Sequence, residues 1–356
     1  MNKPLRVLYF GSYSYANPRN AVLIKGLEKN GVTILECNDR SRSFVVKYIK
    51  LFFKYLKFIG KFDVMLVGFS GQEMMPLARI LTRKPIVFDV FTSHYMGYIL
   101  DRKYFSPQSL RAKYYGFIDR MSCRLADIVL LDTQAHINYF VKEFDVPLRK
   151  FRKIWLGADS DVYYPIEQAP RADGDFSRIV FWGNFIPLQG VETIIKAAKI
   201  LENKNVTFYM IGKGQTLPAC EQLSNTLGLK NVQFLGWVGH DDLRDYISSA
   251  DICLGAFSGS IKADITIQNK IFESLAMHKA LITAETTANQ ELLTDGENCL
   301  LCKPRDPESL ADKISLLLRD QDLKKKIADN GYRLFKEKLT EKKLGGELVQ
   351  ILEELT

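Results

Sequence analysis

PLRVLYFGSYSYANPRNAVLIKGLEKNGVTILEC (residues 4–37) sets the pattern from which the fold is read. An apolar run (PLRVLYFG, 4–11) gives way to a polar loop, then to an amphipathic stretch that Gly31 ends, then to a second apolar run (VTILEC, 32–37). Short continuous apolar runs read as buried strands, the stretch between them as a helix, and the glycine as its stop. The pattern repeats in DVMLVGF (63–69), KPIVFDVF (84–91), DIVLLDT (127–133) and RKIWLG (152–157). It breaks in DVYYPIEQAPRADGD (161–175), which reads as an interdomain linker. It restarts in RIVFWGN (178–184), VTFYMIG (206–212), NVQFLGWV (231–238), ADICLGAF (250–257), KALITA (279–284) and NCLLC (298–302), and the chain from about 307 onward reads as helical. Strands alternating with helices predict parallel α/β sheets. The expected architecture is two Rossmann-like domains facing a central cleft, with a C-terminal helical tail. The domains are placed at 1–165 and 166–335, and the helix of 336–356 is expected to pack back towards the first.

The 356 residues are 47% apolar and 25% charged, which excludes a disordered or fibrous chain. No run of 18 residues is free of charge, and the N-terminal stretch lacks the pattern of a signal peptide. A cytoplasmic protein is expected. Residues 1–165 carry 26 Lys+Arg against 14 Asp+Glu, and the remainder 23 against 27, so the first half is basic and suits an anionic partner. Of six cysteines only Cys299 and Cys302 have CxxC spacing. With four histidines in the chain and no second pair, they read as ordinary buried thiols.

The loop after the first strand holds one glycine, and neither G-x6-G after RIVFWGN nor the later GKG completes a dinucleotide fingerprint. A phosphate-binding P-loop is absent as well. The second half, however, resembles the C-terminal domain of glycosyltransferase family 4 (group 1), of GT-B fold. The resemblance rests on FWGNFIPLQGVETIIKAAKIL (181–201), VTFYMIGKGQ (206–215), NVQFLGWVGHDDLRDYISSADICLGAF (231–257) and NKIFESLAMHKALIT (269–283), in that order. PRNAVLIKGLEKNGV (18–32), DRMSCRLADIVLLDT (119–133) and IWLGADSDVYYP (154–165) extend it loosely into the first half.

The resemblance implies a retaining, metal-independent enzyme that needs no cofactor. It would move a sugar from a UDP- or GDP-linked donor on the second domain to an acceptor on the first. Lys270 near the start of its helix, with Asn269 as cap, is then expected to meet the diphosphate, and Glu273, the second acid of the family's Glu-x7-Glu motif, the ribose hydroxyls. Gly183 and the loop Thr266, Ile267, Gln268 are expected as donor contacts. Gly236 and Trp237 fall where the nucleobase is seated, although Trp237 also suits a core position. Three positions depart from the family: Ile265 stands for the first Glu, with Asp264 beside it, and Asn184 and Gln189 stand where cations usually hold the diphosphate. Lys213 or Lys262 is a candidate substitute. Gly11, Tyr13 and Arg19, with Tyr15, are the acceptor-side candidates. His94 and Asp89, near the end of the fourth strand, are the catalytic ones. An acid in an apolar run is costly to bury charged unless it is paired.

SFVVKYIKLFFKYLKFIGKFD (43–63) places lysines at 47, 50, 54, 57 and 61, within an arc of about 80° at 100° per residue, and apolar residues over most of the rest. That pattern suits a helix lying on an anionic membrane surface; a buried helix with a lysine edge is the alternative. A lipid-linked or cell-surface saccharide acceptor, with peripheral attachment to the inner face of the cytoplasmic membrane, follows from the first reading, and nucleic acid is not expected. A non-catalytic partner subunit that has lost donor contacts and a nucleotide-sugar epimerase of the same fold are the rival readings.

Overall fold

The computed structural model describes residues 4–167 and 176–356. It forms two units, Met1–Asp159 with Leu339–Thr356, and Ser160–Lys338. The first holds β1 (Arg6–Gly11), β2 (Thr33–Asn38), β3 (Val64–Val67), β4 (Ile86–Asp89), β5 (Ile128–Leu131) and β6 (Phe151–Lys153) in one sheet of order β2-β1-β3-β4-β5-β6. The second holds β7 (Ser177–Trp182), β8 (Val206–Ile211), β9 (Val232–Gly236), β10 (Ile252–Leu254), β11 (Leu281–Ala284) and β12 (Leu300–Cys302) in the order β12-β11-β10-β7-β8-β9. Every pairing between these strands is parallel.

The continuous apolar runs are explained by burial on both faces. In the first unit Leu8, Phe10, Met65, Val67 and Phe88 fill one core layer, and their neighbours Val7, Tyr9, Val64, Leu66 and Val87 fill another. In the second unit Ile179, Phe181 and Phe208 point to one layer, and Val180, Trp182 and Ile211 to the opposite one. Cys299 and Cys302 are buried free thiols.

The C-terminal helix Glu341–Glu353 belongs to the first unit, where Leu344, Leu348 and Leu352 join the core beside Val22, Leu23 and Leu27. It meets helix Pro18–Lys29 backbone to backbone. A Cβ on Gly345 would stand 2.1 Å from the Gly26 carbonyl, so only glycine fits there. Within the linker expected over 161–175, Tyr163 and Ile166 instead pack on the core of the second unit. The rest of that segment, 168–175, lies outside the described residues.

One ion pair organises the first unit and corrects two sequence assignments. Arg19, on helix Pro18–Lys29, and Asp89, at the end of β4, are both fully buried. Arg19 Nη2 donates to Asp89 Oδ1 at 2.9 Å, its Nε reaches both carboxylate oxygens, and its Nη1 donates to the carbonyls of Ile154 and Trp155 at 2.9 Å. The acid in an apolar run therefore has its purpose in a structural pair, so neither Arg19 as an acceptor contact nor Asp89 as a catalytic group meets a ligand here. Burial pushes the Asp89 carboxyl up from its ordinary value, and Arg19 pulls it back. Removing one partner of such a pair strands the other, at a cost of about 3–5 kcal/mol. Arg19→Met should lower unfolding stability by that order in urea titrations, and adding Asp89→Leu should recover part of the loss. Equal destabilisation by the single and double variants would sink the pairing as the stabilising element.

Candidate active site

In the second sheet β8 and β9 extend to one side of β7, whereas β10, β11 and β12 extend to the other. The reversal leaves a crevice outside the carboxyl ends of β7 and β10, where open α/β sheets bind ligands. The loops that follow these two strands touch there. Phe257 N–H donates to the Gln189 carbonyl at 2.9 Å. Gly190, at φ 62°, is seated so that a Cβ would lie 2.3 Å from Ser258 N.

Lys270 enters this crevice from helix Asn269–Ala276. Its side chain is almost wholly buried, its ammonium donates to Gln189 Oε1, and it lies 3.8 Å from the centre of the Phe181 ring. The Cβ position of Gly183 is 3.3 Å from Lys270 Nζ. Burial pushes the ammonium well below the ordinary lysine value, and Glu273 acts in the opposite direction. The N-cap position is Gln268, whose Nε2 turns to the Thr266 carbonyl at 2.9 Å, so the first N–H groups of the helix carry no side-chain cap. The sequence had placed the cap at Asn269, which is instead the first helical residue. A buried cation next to uncapped helix N–H groups is suited to an anion.

One turn on, Glu273 is buried, and its Oε2 accepts from Trp182 Nε1 at 2.5 Å. Burial pushes this carboxyl up, while the Trp182 N–H, Lys270 and the Tyr163 hydroxyl pull it back. Trp182 and Tyr163 were not singled out in the sequence. Trp182 is hidden in a strand whose only signal is apolar, and Tyr163 lies in the segment read as linker.

The remaining donor candidates divide. Thr266 and Ile267 are buried in the loop leading to Lys270. Trp237 is 62% exposed just past Gly236, and Lys213 Nζ lies 5.2 Å from its ring centre, which removes the core reading of this tryptophan. Asn184 is exposed and Ile265 buried. Asp264 is turned to Thr287, accepting from its N–H and hydroxyl at 3.0 and 3.1 Å, and so does not replace the missing acid.

In the first unit the acceptor candidates after Gly11 form a tyrosine cluster. Tyr13 is buried, not open to ligand, and donates to Glu36 Oε2 at 2.7 Å; Tyr15 donates to the same oxygen. His94 is mostly buried, with Nδ1 3.5 Å from Glu73 Oε1 and its ring beside Tyr98 and Tyr115. The basic-aromatic stretch forms helix Phe44–Leu56, in which only Leu51 and Tyr55 are buried. Val45, Val46, Ile49, Phe52, Phe53 and Leu56 are exposed, Val45 by 64% and Phe53 by 61%, which excludes the buried-helix alternative. No helix of the described residues is long and apolar enough to cross a membrane.

Residues 177–320 match the model of the glycosyl transferases group 1 family. An uncharacterized glycosyltransferase of Methanocaldococcus jannaschii is 24% identical over 57% of this chain and 53% of its own length. A lipopolysaccharide core biosynthesis glycosyltransferase of Rhizobium meliloti is 26% identical over 43% of each chain. The chain thus spans about half the length of these relatives or less. The Anabaena protein HepE, solved with UDP and glucose, superposes with a TM-score of 0.73 at 16% identity, covering 99% of this chain and 100% of that one. Most of the second unit, residues 177–320, is thus similar to the glycosyl transferases group 1 family, and the chain as a whole has the GT-B fold.

Proposed function

We propose that this protein transfers a sugar, with retention of anomeric configuration and without a metal, from a nucleoside-diphosphate sugar to a saccharide acceptor that is lipid-linked or part of the cell surface. The observation that carries the reading is Lys270, a nearly buried cation that donates to an amide oxygen and lies on a ring face, with the buried Glu273 carboxyl one turn away. A leaving diphosphate brings an anion directly to the ammonium. As the glycosidic bond breaks, charge grows on the bridging oxygen, and the Lys270 ammonium with the uncapped N–H groups of helix Asn269–Ala276 stabilises it. Glu273, held by Trp182 and Tyr163, accepts from the ribose hydroxyls. Exposed Trp237 offers a face to the base, with Lys213 beside it. HepE binds UDP, which favours the uridine donor over the guanosine one. The exposed apolar strip of helix Phe44–Leu56, flanked by Lys47, Lys50 and Lys57, docks on an anionic membrane and brings the enzyme to its acceptor.

The sign of the proton linkage follows from burial. Lys270 is depressed in the empty site and is raised by a bound diphosphate, so the complex holds more protons. UDP affinity should therefore increase as pH falls through the interval between these two values, the lower of which lies well below the ordinary lysine value. Titration calorimetry in buffers of different ionisation enthalpy should show proton uptake that Lys270→Met abolishes. Glu273→Gln should weaken UDP by about tenfold with proton uptake intact. UDP binding without sugar transfer would instead favour a non-catalytic subunit, the reading to which Asn184 and Ile265 point. Absence of UDP and GDP binding at millimolar concentration would overturn the donor site.

For the membrane contact, sedimentation with phosphatidylcholine vesicles, with and without phosphatidylglycerol, gives a direct measure. Binding should require the anionic lipid, and Phe53→Asp should lower it by about tenfold or more, given the ~1.5–3 kcal/mol of burying one such side chain. Binding that is indifferent to both changes would refute the docking helix.

A further inference from the structure

The first sheet repeats the topological reversal of the second. β2 lies on one side of β1, and β3 to β6 lie on the other, so the corresponding crevice opens outside the carboxyl ends of β1 and β3. A cavity of about 390 Å³ lies there, within the size range of ligand pockets. Ser12 lines it from the loop after β1, Ser70, Glu73 and Met74 from the segment after β3, Phe44 and Lys47 from the basic-aromatic helix, and Tyr114 from helix Leu110–Leu125.

These side chains carry the chemistry of saccharide binding. A carboxylate and two hydroxyls can exchange hydrogen bonds with a polyol, Lys47 adds a donor, and the half-exposed rings of Phe44 and Tyr114 can cover the apolar face of a pyranose. Glu73 is held through its backbone, whose carbonyl accepts from the Tyr48 hydroxyl of helix Phe44–Leu56, while its Oε1 lies 3.5 Å from His94 Nδ1, which makes no hydrogen bond among the described residues. His94 is in turn fixed by its backbone N–H, which donates to buried Asp119 at 3.1 Å.

Helix Phe44–Leu56 links this cavity to the exposed apolar strip. At 100° per residue Phe44, Tyr48, Leu51 and Tyr55 share the side turned to the protein. Phe52, Val45, Leu56, Ile49, Phe53 and Val46 follow over an arc of about 120°, and the lysines close the circle. We propose that the cavity is the seat of the acceptor's sugar, with Glu73 reading its hydroxyls, and that the acceptor is an amphiphile whose hydrocarbon lies along this strip. The proposal rests on the glycosyltransferase reading and names the acceptor class for it. Glu73 is a specificity residue.

Octyl glycosides of glucose, galactose and N-acetylglucosamine, each below its micelle-forming concentration, are the probes. Saturation-transfer NMR distinguishes their ring protons from their chain protons. For the wild type, ring protons of at least one glycoside should receive saturation, and binding should be about tenfold weaker in Glu73→Gln. Tyr114→Ala, at an exposed position, should weaken ring contact while leaving thermal unfolding unchanged. Saturation confined to the octyl chain, or ring saturation that survives both substitutions, would overturn the cavity as the acceptor seat. UDP titration on the same samples separates the two levels. Wild type that binds UDP but shows no ring saturation loses only this inference, whereas failure to bind UDP counts against the donor site whatever the glycosides do.

Discussion

A parallel sheet whose chain begins in its middle must reverse its direction of winding once, because right-handed crossovers place successive strands on one side until the chain returns past the first. Both sheets obey this constraint, with β1 and β7 as the starting strands. The reversal separates the loops at two neighbouring carboxyl ends and leaves a gap that side chains alone do not fill. In the second unit the gap is occupied by Lys270, Gln189 and Gly183. In the first it is the cavity lined by Ser12, Ser70 and Glu73. The polar groups that line these gaps are thus placed by topology, on loops and helix starts.

The two units treat a buried cation in opposite ways. In the first, Arg19 is neutralised within the chain by Asp89 and two carbonyls, which makes it a brace between helix Pro18–Lys29, β4 and the segment after β6. In the second, Lys270 has an amide and a ring instead. Both cations are buried, and Lys270 faces no paired carboxylate at hydrogen-bond distance among the described residues, so burial depresses its ammonium. The difference between the two lies in their partners, since exposure does not separate them.

This contrast also marks the limit of what was legible in the sequence. Eleven of the twelve strands coincide with apolar runs, most plainly the inner ones, where burial on both faces writes an unbroken apolar signal. β6 (Phe151–Lys153) precedes the apolar part of its run, because a short edge strand needs no such signal. Lys270 and Glu273 were legible because their helix carries a recognisable pattern, and the structure brings them together with Gln189, one of the departures from that pattern. Arg19 and Asp89 were each noticed as unusual, yet they are separated by 70 residues and their pairing exists only in three dimensions. Tyr163 was hidden by Pro and Asp neighbours that mimic a linker, and Glu73 by a short helical turn with no periodicity. Strand order was likewise not written in any local run.

The basic character of the first half acquires a physical meaning from where its lysines lie. Lys54 is satisfied internally, by the Asn38 carbonyl and Asp39, and anchors the helix to the end of β2. Lys50, Lys57 and Lys61 remain exposed at the edge of an apolar strip that no part of the described chain covers. Leaving Phe53, Ile49 and Leu56 in water forfeits hydrophobic stabilisation, and six such neighbours together exceed what isolated exposed residues require. The same residues become favourable at a lipid boundary, where the apolar strip is buried and each lysine near an anionic surface contributes about 1 kcal/mol. Surface charge and exposed hydrophobicity, each costly or neutral alone, are thus complementary halves of one amphipathic element, tied through Tyr48 to the turn that carries Glu73.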